Sequence, residues 1–223
     1  MSENSKKSLN NVGLVLVIFA LAVGIGFFLL KPKEKLPVYS PADVNPRLVD
    51  YSVQHIKKNH KIADFELIDQ NGDTVSNSTF ENKIYIADFF FTRCATICPI
   101  MTGNMHTLQE RFKEDDEIML LSHSVTPIMD SVPILKMYAD NKGIDAQKWR
   151  ITTGDKKHIY NLARKSYFAT LDEGDGGDQD FIHTEQFILV DKDRQIRGYY
   201  DGTDKNEIER IENDIRILKK EYK

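Results

Sequence analysis

The sequence predicts an α/β domain built on a central mixed sheet and preceded by one N-terminal transmembrane helix. Three observations carry this reading. Ile84-Tyr85-Ile86-Ala87-Asp88-Phe89-Phe90-Phe91 is an apolar, β-branched and aromatic run of strand length, the pattern of a strand buried on both faces. Further runs of this kind alternate with segments of helical periodicity, which implies parallel strands covered by helices. Finally, Val12 to Leu30 is 19 residues without a charge, about 28 Å as a helix against the roughly 30 Å of a bilayer's hydrocarbon core.

That apolar segment follows a short tail, residues 1–11. It is longer than the core of a cleavable signal, and Phe27-Phe28-Leu29-Leu30 offers no small-residue cleavage site, so a retained anchor over residues 12–30 is expected. No cysteine follows it, which excludes a lipoprotein anchor. Lys6, Lys7 and the amino terminus against Glu3 balance Lys31, Lys33 and Lys35 against Glu34, so charge bias gives no orientation. Residues 31–59 read as linker and lead-in, because Pro32, Pro37, Pro41 and Pro46 favour extended, semi-rigid chain. The folded domain is expected over residues 60–223. A chain of 223 residues with 41% hydrophobic content supports one core of ordinary size. Beyond residue 36 the chain holds 25 Lys+Arg against 32 Asp+Glu, an acidic surface with no electrostatic footprint for nucleic acid.

The domain opens with a hairpin: Ile62, Phe65, Leu67 and Ile68 lead to the turn signal Asn71-Gly72, and Thr74-Val75 follow. The buried strand at 84–91 comes next. Met101, Met105, Leu108 and Phe112 then mark one apolar face of a helix, with Pro99 suited to its first position. Glu117 to Val125 is the second strand, and Ile134, Leu135 and Tyr138 mark a helix that stops near Gly143. Trp149 to Thr152 is a short strand, followed by a helix through Ile159, Leu162, Ala163 and Tyr167. Asp172 to Asp180 is a solvated loop. Gln186–Val190 and Gln195–Tyr200 form an antiparallel hairpin, and a last helix starts at Asp204 with Glu207 in capping-box position. A βαβ half, a ββα half and a cysteine pair at the first strand-to-helix turn make a thioredoxin-like fold.

Cys94 and Cys98 are the only cysteines, and they lie in that turn. So close a pair closes too small a loop to stabilise a fold as a disulfide. Free amide N–H groups and the positive end of the helix dipole stabilise thiolates there, and Arg93 is expected to act the same way. The pair is therefore read as functional rather than as inert core. Met101 and Met105 are read as core from their helical spacing, and His106, His123 and His158 as structural or surface residues.

Phe91-Thr92-Arg93-Cys94-Ala95-Thr96-Ile97-Cys98-Pro99-Ile100-Met101, with Ile182-His183-Thr184 just before the strand at 187–190, resembles the SCO/SenC family of copper proteins. Ser122-His123-Ser124-Val125-Thr126-Pro127 and Trp149 to Gly154 fit the same order, so the resemblance covers roughly residues 60–220. It implies a thioredoxin-like domain on the inner (cytoplasmic) membrane, single-pass and facing the periplasm. Such a protein binds copper and helps assemble the binuclear copper centre of cytochrome c oxidase. Its partners would be the copper-centre subunit of the oxidase and a copper donor.

Carried over by position, Cys94 and Cys98 are the thiolate ligands of copper and His183 the imidazole. That donor set is soft enough for Cu(I) and tolerant of Cu(II). The chain departs from the family pattern at Thr96 and Ile182, where Asp is common, and at Arg93, where His is common. The alternative is a thiol–disulfide oxidoreductase acting on cysteines of an oxidase subunit or another cuproprotein. In that reading Cys94 is the attacking thiolate and Cys98 the resolving thiol. The absence of a proline in Ile182-His183-Thr184-Glu185 favours metal binding over it. Taken alone, His183 is an ordinary polar residue at a strand's start, and only the resemblance makes it a ligand.

Overall fold

The chain enters its sheet through a hairpin, β1 (Glu66–Asp69) and β2 (Thr74–Ser76), turned at Gly72, whose φ of 85° lies in the left-handed region open to glycine. The computed structural model describes residues 16–26, 30, 34–49, 54–57, 60–170, 174, 176, 177 and 179–223. Next come β3 (Ile84–Phe90), α1 (Cys98–Arg111), β4 (Ile118–Ser124), α2 (Val132–Lys142) and β5 (Trp149–Thr153). A short helix α3 (Lys156–Asn161) widens into a π-turn over Leu162–Ser166. The chain closes with β6 (Gln186–Val190), β7 (Ile196–Asp201) and α4 (Lys205–Glu221).

The seven strands form one mixed sheet in the order β2-β1-β5-β4-β3-β6-β7. β3 is central: Ala87 pairs with Leu121 of parallel β4 on one side and with Ile188 of antiparallel β6 on the other. Alternation along β3 feeds two cores. Tyr85, Ala87 and Phe89 pack with Tyr160, Leu162 and Tyr167 on one face. Ile84, Ile86 and Phe90 pack with Met101, Met105 and Leu108 of α1 and Ile211, Ile215 and Leu218 of α4 on the other. Each buried Ile, Leu, Met or Phe among them contributes about 1.5–3 kcal/mol. The methionines read as core are core: Met101 and Met105 are fully buried.

The elements expected from the sequence are present within a residue or two, with three differences. The helix after β5 is not continuous α, because its second half takes the wider π geometry. Asp204 does cap α4, accepting the Asn206 N–H at 2.8 Å, but Glu207 turns to Arg210 rather than back to the cap. The compact unit begins at Leu36, not near residue 60. Arg197, almost wholly buried, explains this. It pairs with Asp191 at 2.9 Å and Glu221 at 2.7 Å and also donates to the Leu36 and Pro37 carbonyls at 2.9 and 3.0 Å. Tyr39 then donates to the Ile196 carbonyl at 2.8 Å, so the lead-in lies along the β6–β7 end of the sheet.

Residues 1–35 form a separate unit. Residues 16–26 are helical, and Leu16, Phe19 and Leu21 among them are exposed. Among the described residues no helix is long and apolar enough to cross a membrane. The rest of the expected 12–30 anchor, residues 12–15 and 27–29, lies outside the described residues.

β3 carries one polar side chain among seven buried residues. Asp88 faces the same core as Ile86 and Phe90, and its Oδ1 has no hydrogen-bond partner. Burial, only partly offset by a hydrogen bond with Ser122, pushes its carboxyl up to about 7. A carboxyl raised in this way is held protonated more tightly by the folded chain than by the unfolded one. Its stability contribution is complete below the ordinary carboxylate range and is lost as pH rises toward 7. Asp88→Asn is therefore expected to stabilise the domain at pH 8 by roughly 2–4 kcal/mol, with the gain vanishing near pH 4. Denaturant melts of the two proteins at both pH values check this, and equal stability at pH 8 refutes it.

Candidate metal centre

β3 ends at Phe90, and α1 starts at Cys98, so both cysteines stand at the carboxyl edge of the central strand. Neither is in a disulfide. Cys98 is buried in the first turn of α1, while Cys94 is half-buried in the turn before it. The Cys98 N–H points at Cys94 Sγ at 3.4 Å, and the Thr96 hydroxyl lies 3.6 Å from the same sulfur. Burial pushes the Cys94 pKa up, but these hydrogen bonds from Cys98 and Thr96 outweigh it and bring the thiol down to about 6. Cys98 goes the other way. Burial first, then the neighbouring Cys94 and Asp88 charges, push it up to about 12.

The turn thus presents one thiolate and one thiol at neutral pH. Arg93, expected to support the thiolate, turns instead to Met129, its Nη1 lying 3.8 Å from Sδ. The expected help from free N–H groups at the helix start reaches Cys94, through the amide of Cys98, but not Cys98 itself, whose burial keeps it a thiol.

His183 is exposed, between buried Ile182 and the start of β6. The chain is pinned on both sides of it. Tyr160 OH lies 3.4 Å from the Ile182 N–H, and Thr184 Oγ1 donates to the Ala169 carbonyl at 2.7 Å. Its side chain lines a surface cavity of about 470 Å³ together with Tyr39, Asp43, Phe168, Glu185 and Tyr199. Among the described residues no three His, Cys, Asp or Glu side chains stand close enough together to hold a metal. The two sulfurs are brought together here, and the imidazole is not.

The segment before His183 is better held than a solvated loop. Asp180 forms a two-pronged pair with Arg164 at 2.6 and 2.7 Å and accepts the Gly176 N–H at 2.7 Å. The Arg164 guanidinium holds its carboxyl down to about 2. Asp172, Glu173, Asp175 and Asp178 of that loop lie outside the described residues.

The cysteine turn, the histidine before β6 and the mixed sheet together match one known group. The SCO1/SenC family model covers residues 53–219. The chain belongs to the SCO1/SenC family. A SCO1 protein homolog of Bacillus subtilis is 33% identical over 160 residues, 71% of this chain and 82% of that one. The structure of BsSco, described as a member of the Sco family of cytochrome c oxidase assembly proteins with a disulfide switch, is 32% identical. It superposes with a TM-score of 0.61 over 72% of this chain and 94% of its own. Bradyrhizobium japonicum ScoI, solved with copper bound, is 22% identical with a TM-score of 0.57 over 72% and 99% of the two chains and shows the fold.

Within this SCO1/SenC chain, Thr96 lies between the cysteines, its hydroxyl 3.6 Å from the Cys94 sulfur. A carboxylate at that place would repel the thiolate, whereas the hydroxyl stabilises it. Alkylation of Cys94 is therefore expected to rise through a midpoint near pH 6 and to level off above neutrality, with Cys98 unmodified. Thr96→Val should move that midpoint upward. Mass spectrometry of iodoacetamide-treated protein across pH 4–10 checks both statements. A midpoint at the ordinary thiol value of roughly 8.5 would overturn them.

Proposed function

We propose that this protein is a membrane-anchored copper-binding protein that delivers copper to, or matures, the binuclear copper centre of cytochrome c oxidase. Copper is the cargo, and Cys94, Cys98 and His183 are the residues that hold it. The observation that carries this reading is the paired sulfur donors in one strand-to-helix turn, one already a thiolate, the other a thiol whose backbone N–H lies 3.4 Å from the Cys94 sulfur. Thiolates are the soft donors that suit Cu(I), and an imidazole adds tolerance of Cu(II). Membership of the SCO1/SenC family and the copper held by the Bradyrhizobium ScoI structure support the choice of metal.

The chain's own residues do most of what transfer needs. Cys94, exposed enough to be met first and ionised at neutral pH, is the landing donor. Cys98 must release a proton before it can bind, so capture by both sulfurs is coupled to proton loss. Two-electron oxidation of the pair to a disulfide, by exchange with an external disulfide that is itself reduced, removes both sulfur donors and ejects the cargo. The apolar N-terminal segment, residues 12–30, is the anchor, and the domain faces the periplasm, where the oxidase subunit that accepts copper and the donor that supplies it are the partners.

Full-length protein in detergent, titrated anaerobically with Cu(I) against a competing chelator, should bind one equivalent tightly. His183→Ala should weaken binding at least about tenfold, 1.4 kcal/mol, and Cys94→Ser by more. Poor binding by the unmodified protein would sink the metal reading. An unchanged affinity in His183→Ala would remove the imidazole from the ligand set.

A further inference from the structure

One buried carboxylate ties the cysteine turn to the loop after β4. Asp130 is 0% exposed, and its two oxygens accept four hydrogen bonds. Thr92 gives two of them, from Oγ1 at 2.5 Å and from its N–H at 3.2 Å. Ser124 Oγ at 2.6 Å and Thr126 Oγ1 at 3.0 Å give the others, from the loop's own side. Thr92 is two residues from Cys94 and already beyond the end of β3.

The rest of the turn is held by packing of Phe91, Cys94, Ile97 and Cys98 against the core under α1, with few hydrogen bonds leaving it. Cys94 N–H reaches back to the Phe91 carbonyl at 3.3 Å, and Thr96 and Cys98 bond to Cys94, all within the turn. Outward, beyond Thr92 and that core packing, the turn's polar and ring contacts among the described residues are the Arg93–Met129 contact at 3.8 Å and the edge-on stacking of Phe91 on Phe181. Among the described residues no cation pairs with Asp130. A carboxylate satisfied by hydroxyls and an amide in a dry site contributes less to stability than apolar packing of the same volume would, but it fixes a geometry.

We propose that Asp130 is the positioning residue of the cysteine pair: through Thr92 it fixes the turn against the loop after β4 and so sets the arrangement in which Cys94 Sγ accepts the Cys98 N–H. Its bearing on copper rests on the function proposed above. Its bearing on the dithiol does not.

The test compares full-length protein in detergent with Thr92→Val, Thr92→Ser, Asp130→Asn and, as a control for lost stability, Ile211→Val in the core under α4. Three quantities are read: thermal midpoint, the thiol–disulfide equilibrium against glutathione, and Cu(I) affinity by chelator competition. Thr92→Val and Asp130→Asn should destabilise the dithiol relative to the disulfide by about tenfold, roughly 30 mV toward more reducing potential, and weaken Cu(I) at least fivefold, about 1 kcal/mol. Thr92→Ser keeps the hydroxyl and should stay within twofold of the unmodified protein, as should Ile211→Val despite its lower thermal midpoint. If Asp130→Asn does not fold, Thr92→Val decides alone, since it leaves the Ser124 and Thr126 bonds in place. The proposal is overturned if Thr92→Val leaves the thiol–disulfide equilibrium within twofold, or if Ile211→Val moves it equally. Failure of the unmodified protein to bind copper removes the copper reading and leaves the dithiol comparison to judge Asp130.

Discussion

β3 has no face left for water, and the remainder of the domain is arranged around that constraint. All seven residues from Ile84 to Phe90 are buried. Such a strand needs a neighbour on each edge to satisfy its backbone and a helix layer on each face to cover its side chains. β4 and β6 take the edges, and the two cores take the faces. The strand can deliver side chains to solvent only at its ends, and at the carboxyl end the chain turns into α1. The cysteines stand there for this reason. Asp88 is the one departure inside the strand, and it is coupled to the site, since its charge is among the influences that raise Cys98.

What was legible in the sequence follows from range. The strand at 84–91, the Met101-Met105-Leu108 face and the Asn71-Gly72 hairpin are written in neighbouring residues, through period and turn chemistry, and they appear where expected. The thiolate character of Cys94 was legible too, because the free amides of a helix start are a local property. The devices that hold the site were not. Thr92 meets Asp130 across 38 positions, Arg164 meets Asp180 across 16, and Arg197 gathers Leu36 across 161. Such pairs have no period, and nothing in the sequence around Asp130 or Arg197 distinguishes a buried hub from a surface charge. Arg93 shows the converse error: adjacency to Cys94 suggested an electrostatic partner, but its side chain is long enough to reach Met129.

The asymmetry of the two sulfurs follows from how far each has entered the helix. Cys94 precedes α1, so it can accept the amide that Cys98 contributes as the helix begins. Cys98 belongs to the first turn and is carried into the core beside Met101 and Phe90, away from solvent. Burial of this kind disfavours a thiolate unless a positive charge arrives to replace water. A bound cation would do that for both sulfurs at once. The same geometry that makes Cys98 a poor nucleophile at neutral pH therefore makes it a donor that responds to a metal. An ionised Cys94 beside a protonated Cys98 is equally the arrangement of an attacking and a resolving thiol, so the choice of a soft cation rests on the missing proline before β6 and on membership of the SCO1/SenC family, not on this asymmetry.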